Sequence, residues 1–222
     1  MKRIAVCIIT LLLLSGFTYV DSNETIDKSF KLEDLYDYQK AYKTEELEVC
    51  ASDGAKTYMD YHMTTAVSSR QYQFIHNELT VDKETGFLYD KDGFIGVALG
   101  SYYGQIGDRF YFTLDSGIVL PLVKAEEKAD VDTDITGCYH LLDTSIIEFV
   151  IDSDYAKNYF WHNDNGLVLN GNYNNYSLFD GAIVSVEKVL DEKSDKIVSY
   201  VYNMDIPKQT DIFYYASGYW DV

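Results

Sequence analysis

The sequence predicts a mainly β protein, and three observations carry that expectation. From position 56 onward, short runs of strand-forming residues follow one another at close spacing. Glycine-bearing turns separate them, at Glu84-Thr85-Gly86, at Asp90-Lys91-Asp92-Gly93, at 104–107 and at Asp115-Ser116-Gly117. Aromatic residues make up 15% of the chain, 21 of them tyrosine, and such residues fill strand positions and bury large areas. Many short strands joined by glycine turns mean a barrel or a sandwich. A barrel would also remove the exposed edges of such aromatic strands.

The elements follow in order. Residues 57–63 alternate in a way that suits a strand. Residues 68–77 read as a short helix or an irregular crossing. Two turn signals flank Phe87-Leu88-Tyr89, which predicts a hairpin within 80–94. Residues 94–99 form a nearly continuous apolar run of strand length. Residues 109–114 and 118–123 pair across Asp115-Ser116-Gly117. Further strands are expected at 128–132 and 146–151, a helical turn at 153–161, and a closing strand at 181–190. Beyond it, 197–202 and 212–216 read as an appended C-terminal β-hairpin.

The N-terminus reads as an export signal. Lys2 and Arg3 precede an apolar run over 4–14 broken by Thr10, and small residues follow to Ser22. The run is short for a membrane span, which needs about 20 apolar residues. The expected organisation is therefore a signal peptide at 1–22, an acidic tether or weak helix at 23–55, a β domain at 56–190 and an extension at 191–222. The protein is expected outside the cytoplasm, free or held by an uncleaved signal.

The formal charge of −18 argues against nucleic acid and against anionic membrane surfaces as partners, because both need clustered Lys and Arg. Losing the leader would make the remainder one unit more negative. Cys50 and Cys138 would remain, and an exported chain can oxidise them to a disulfide or keep them as two thiols. The sequence leaves that open, and the oligomeric state with it.

The densest polar cluster is Asp130, Asp132 and Asp134. On a strand, carboxylates at alternate positions share a face, and like charges that close raise at least one pKa. The plainer reading is an acidic strand end in solvent. A calcium loop of the EF type would need Gly and Glu where Ile135 and Leu141 stand. His62, His76, His140 and His162 show no metal spacing, so no metal or cofactor is expected. The C-terminal tyrosines, with Trp161 and Trp220, suit either a β core or stacking on sugar rings.

Six pieces carry a resemblance. They are Thr-Tyr-Met-Asp-Tyr at 57–61, Ser-Ser-Arg-Gln-Tyr at 68–72, Val-Ala-Leu-Gly-Ser-Tyr-Tyr-Gly at 97–104, Ile106-Gly107, Lys-Ala-Asp-Val-Asp-Thr-Asp at 128–134 and Ile-Ile-Glu-Phe-Val at 146–150. Over residues 56–189 the chain resembles a group of secreted proteins of Gram-positive bacteria and their mobile elements. More remotely it is similar to the three-aspartate (3D) domain of cell-wall lytic transglycosylases. That resemblance implies a six-stranded double-psi β-barrel with a short helix or two. Asp132-Thr133 matches the family's central Asp-Thr, and Glu148 matches its later Asp. The first family Asp falls where Leu99-Gly100 stands, and Asp134 replaces a Gly.

The chemistry implied is cleavage of peptidoglycan glycan strands without water. One carboxylic acid protonates the glycosidic oxygen, and its carboxylate then takes the proton of the sugar's own 6-hydroxyl as an anhydro ring closes. The acid must hold its proton near neutral pH, through burial or a neighbouring charge. By resemblance Asp132 is that acid, with Asp130 or Glu148 as the neighbour. Asp134, Thr133, Tyr102, Tyr103 and Asp60 are the candidate substrate-binding residues. The expected partner is peptidoglycan or another wall glycan. The alternative is a non-catalytic wall-binding module on the same barrel.

Overall fold

The structure is a computed structural model that describes residues 31–52, 54–160 and 171–193. The chain divides into Met1–Phe30 and Lys31–Val222, and all described residues belong to the second unit. The export signal expected at 1–22 and the hairpin expected at 197–216 fall outside the described residues.

Along the chain the elements are β1 (Tyr42–Leu47), β2 (Thr57–Asp60), α1 (Arg70–Glu78), β3 (Thr80–Val81), β4 (Leu88–Tyr89), β5 (Ile95–Leu99), β6 (Arg109–Leu114), β7 (Val119–Glu127), β8 (Glu148–Ile151), α2 (Ser153–Phe160) and β9 (Ile183–Lys193). Short 3₁₀ turns lie between some of them. The strands form one mixed sheet in the order β1-β9-β6-β7-β5-β4-β3, with β8 pairing both β5 and β2. The β5·β7 and β2·β8 pairs are parallel and the rest antiparallel. The mainly β expectation holds. The sheet is open rather than closed into a barrel: among the described residues no ladder joins the β3 end to β1.

β5 sits at the branch of this sheet, and its sequence explains why. Ile-Gly-Val-Ala-Leu is apolar throughout and all five residues are buried, as a strand covered on both faces requires. Gly96 leaves room for the Leu79 side chain, whose Cδ1 would lie 2.9 Å from an added Cβ. The β6–β7 hairpin turns at Gly117, whose φ of 87° favours glycine. Pro121 precedes Leu122, the first β7 residue to pair with β5, so its missing N–H falls before that ladder begins.

A second packing centre is aromatic. Phe149 of β8 meets Phe179 at 4.9 Å, Phe87 at 5.1 Å and Tyr173 at 5.1 Å between ring centroids, and Phe160 of α2 meets Tyr173 at 5.2 Å. All five rings are buried. Tyr173 brings a buried hydroxyl with no hydrogen-bond partner among the described residues. Desolvating that group costs about 1–3 kcal/mol. Tyr173→Phe is therefore expected to be at least as stable as the parent in urea melts; a clear loss would show that the hydroxyl has a partner.

Three stretches differ from their expectation. Within 23–55, read as a tether or weak helix, Leu32 and Leu35 are buried and Tyr42–Leu47 pairs with β9. That strand has one solvated face and acidic side chains, so it lacks an apolar signature. The strand expected at 57–63 stops at Asp60, whose carboxylate accepts from His62 N at 2.9 Å and caps a 3₁₀ turn over Tyr61–Met63. The strand expected at 128–132 is absent. β7 ends at Glu127, and Asp130–Asp132 is a 3₁₀ turn, so its carboxylates do not alternate on a strand face.

Candidate functional site

The site is built where β7, β5 and β8 lie side by side. Ala98 of β5 is the register partner of Glu126 on β7 and of Glu148 on β8. Register partners on neighbouring strands share a face, so the two glutamates flank Ala98 in one row. Their Cα atoms stand two strand spacings apart, about 10 Å. Ala98 adds only a methyl between them. Thr57 of β2 extends the row as the partner of Glu148.

The two carboxyls differ in setting. Glu126 is partly buried, and its Oε2 accepts a 2.8 Å hydrogen bond from the Thr64 hydroxyl. Burial pushes its pKa up; the Thr64 bond opposes this, and the charge of Glu148 adds to the rise. Glu148 has 29% of its side chain exposed, and its Oε2 lies 4.0 Å from Lys128 Nζ. Lys128 is buried and donates to the Ser145 carbonyl and hydroxyl, each at 3.0 Å. Burial lowers its pKa, against the charges of Glu148 and Asp143.

Glu127, next to Glu126, is turned elsewhere, because the β5·β7 register shifts between Val97 and Ala98, where Lys124 and then Glu126 are the partners. It pairs with Lys124 at 2.6 Å. Lys124 is fully buried and also donates to the carbonyls of Gly100 and Gly104, each at 2.8 Å. One glutamate is thus committed to an internal cation while its neighbour is not.

The residues expected from sequence fall in several places. Asp130 and Asp132 are exposed on their 3₁₀ turn. Thr133 is buried, and its hydroxyl donates to the Asp130 carbonyl at 3.2 Å. The Asp134 carboxylate accepts from Cys138 N at 2.6 Å, from Tyr139 N and Thr136 N at 3.0 Å each, and from the Thr136 hydroxyl. A desolvation cost is outweighed by these bonds, which hold its pKa down to about 2. Asp134 thereby shapes a turn.

Tyr102 is 36% exposed and donates to the Glu48 carbonyl at 3.0 Å. Tyr103 is buried, with its hydroxyl 3.2 Å from Cys138 Sγ and 3.5 Å from Cys50 Sγ. Those two cysteines form a disulfide. Asp60 caps Ser153 at the start of α2 and stands at the Ile151 end of the β2·β8 pair, whereas Glu148 is at the Thr57 end. The structure therefore brings Glu148 to the row with Glu126 but not Asp60. Sequence reasoning missed Glu126; its one signal was a carboxylate pair, Glu126-Glu127, closing an apolar strand.

Glycine shapes the floor. Gly100 follows β5 directly, and a methyl there would overlap the carbonyl oxygen of Gly137. Gly100→Ala is expected to cost about 1–3 kcal/mol by forcing these two segments apart. Thermal melts of the variant check this, and an unchanged midpoint would show that the segments can separate freely.

Two clefts lie elsewhere. One, of about 190 Å³, is lined by Tyr42, Asp90 and Arg109, but Arg109 is already held by Asp90 and Asp92 at 2.7 Å each. The other, of about 170 Å³, surrounds Lys56, which donates to Asn174 Oδ1 at 3.0 Å and to the Gly181 carbonyl at 2.8 Å. Neither contains the carboxylate row. Among the described residues no group of three or more His, Cys, Asp or Glu could hold a metal ion, and no helix is long and apolar enough to cross a membrane. Compared with protein families, curated proteins and solved structures, the chain matches none.

Proposed function

We propose that this is an exported, cell-wall-associated protein that cleaves peptidoglycan glycan strands by a lytic transglycosylase-like mechanism, with Glu126 as its acid. One observation carries the reading: Glu126 is a partly buried carboxyl with a raised pKa, in one row with a second carboxylate, Glu148, across a single alanine. A proton held in this way can be given to a glycosidic oxygen as the bond to the sugar C1 breaks. The resulting carboxylate takes the proton of the 6-hydroxyl as O6 bonds to C1, which returns the acid to its starting state. Glu148, facing Lys128, supplies the neighbouring negative charge for the developing oxocarbenium ion.

Asp132, the acid suggested by resemblance, is exposed and lacks the burial that the role needs. The two parallel pairings, β2·β8 and β5·β7, support reading the strands of 56–190 as a double-psi arrangement. A second reading, a wall-binding module without catalysis, is favoured by Leu99-Gly100, where the related domain carries its first aspartate and this chain has no carboxylate.

The test is a digestion of purified Gram-positive peptidoglycan, with products identified by mass spectrometry. Anhydro-muropeptides that vanish in Glu126→Gln and persist in Asp132→Ala are the expected result. Products that vanish only in Asp132→Ala would move the acid back to the 3₁₀ turn. Binding to wall without products, from folded protein, would establish the module.

A further inference from the structure

Between β7 and β8 the chain leaves the sheet, and residues 129–144 form an arm outside it. Its two ends are clasped, because Lys128 at one end bonds Ser145 at the other. Thr133 pairs with His140, and the Leu141 N–H bonds the Asp132 carbonyl at 2.8 Å. The disulfide ties Cys138 to Cys50, and the Asp134 carboxylate gathers three backbone N–H groups across the turn. So many constraints give the arm one shape without help from a partner.

What it presents is apolar. Val131 is 81% exposed, Leu142 91%, Leu141 56% and Ile135 104%. The bond between Asp132 and Leu141 brings together the backbones that carry Val131 and Leu142 as their next residues. Four exposed apolar side chains on one constrained segment point to an interaction site, since covering them gains about 25 cal/mol for each Å² removed from water.

Charge selects what covers them. The arm holds Asp130, Asp132, Asp134 and Asp143 and contains no Lys or Arg. His140 faces Asp143 at 3.1 Å, while Asp130 and Asp132 are in no ion pair among the described residues. Anionic lipid and nucleic acid would be repelled by this arm and by a chain of charge −18. A partner that interleaves cations with aliphatic side chains matches both halves of the surface.

We propose that the arm spanning 130–142 is a docking surface for a cationic, aliphatic-rich peptide segment of a partner protein. The proposal stands apart from the catalytic reading, because it uses none of Glu126, Ala98 or Glu148.

The experiment measures fluorescence anisotropy of a labelled peptide of alternating lysine and leucine against the full chain. Val131→Ser with Leu142→Ser keeps the charge and is expected to weaken binding about tenfold or more. Asp130→Asn with Asp132→Asn is expected to weaken it as well and to flatten its salt dependence. A lysine–serine peptide and a glutamate–leucine peptide are expected to bind far less. Equal binding by the serine variant, or by the lysine–serine peptide, would overturn the proposal, since attraction would then be to net charge alone. Tight binding to phosphatidylcholine vesicles that is lost in the serine variant would overturn it in favour of a bilayer. A gain in peptide binding on deleting 194–222 would show the chain's own tail to be the occupant.

Discussion

Removing the Cys50–Cys138 disulfide, by Cys50→Ala with Cys138→Ala, is expected to lower the unfolding free energy by about 4–5 kcal/mol. The bond closes a loop of 88 residues, and a crosslink over so long a span removes much of the freedom of the unfolded chain. In a domain of this size such a loss lowers the melting midpoint by roughly 8–20 °C. Local packing adds to the effect. Cys138 is buried, and the Tyr103 hydroxyl, itself buried, has the two sulfurs as neighbours. The bond also joins the segment after β1 to the arm at 129–144. Calorimetry with and without reductant measures the effect, with thiol titration to show that the bond opened. The parent should lose stability on reduction and the double variant should not respond. A parent whose midpoint is unmoved by complete reduction would show that the sheet alone holds these segments.

Glu126→Gln is expected to abolish glycan cleavage, a loss of about 10²–10⁴-fold for one general acid, while making the protein more stable near neutral pH. The sign of the second effect follows from linkage. Folding raises the pKa of Glu126 above its ordinary 4.5, first through burial. A carboxyl that binds its proton more tightly when folded disfavours folding once it is ionised. That penalty is present at neutral pH and fades as the pH falls through the folded value. The glutamine, never charged, does not carry it. Urea melts near pH 8 should favour the variant, and melts near pH 4 should bring the two proteins together. A difference that stays the same at both pH values would mean that Glu126 is not a proton-holding group. The activity arm reports separately, because a variant that is more stable and still cleaves would retain the pKa argument and reject the catalytic one.

The divide between what could be read from residues and what needed the fold runs through particular elements. β5, β6 and β7 were legible because their apolar runs are long and their turns carry Gly93 and Gly117 with positive φ. α1 was half legible: Ser69 caps it by accepting from Tyr72 N at 3.1 Å, but 68–77 read equally well as an irregular crossing. β1 was hidden, since Tyr-Lys-Thr-Glu-Glu-Leu buries too little to show a period and owes its place to backbone pairing with β9. The acidic run at 130–134 misled in the other direction. Its alternation suited a strand, yet the chain leaves the sheet at Glu127 because Lys128 turns inward to Ser145.

By itself the sequence determined a mainly β chain, the glycine turns, the strongly acidic composition and the presence of Cys50 and Cys138. Only the tertiary structure decided that those cysteines meet, that Glu126 and not its neighbour Glu127 faces the row with Glu148, and that Asp132 stands in solvent. The physical reason is the same in each case. Turn chemistry and apolar periodicity act over a few residues, whereas disulfide pairing, strand register and the burial that shifts a carboxyl are set by segments far apart in the chain. In a strand, a register change of one residue would exchange Glu126 for Glu127, and nothing local distinguishes the two.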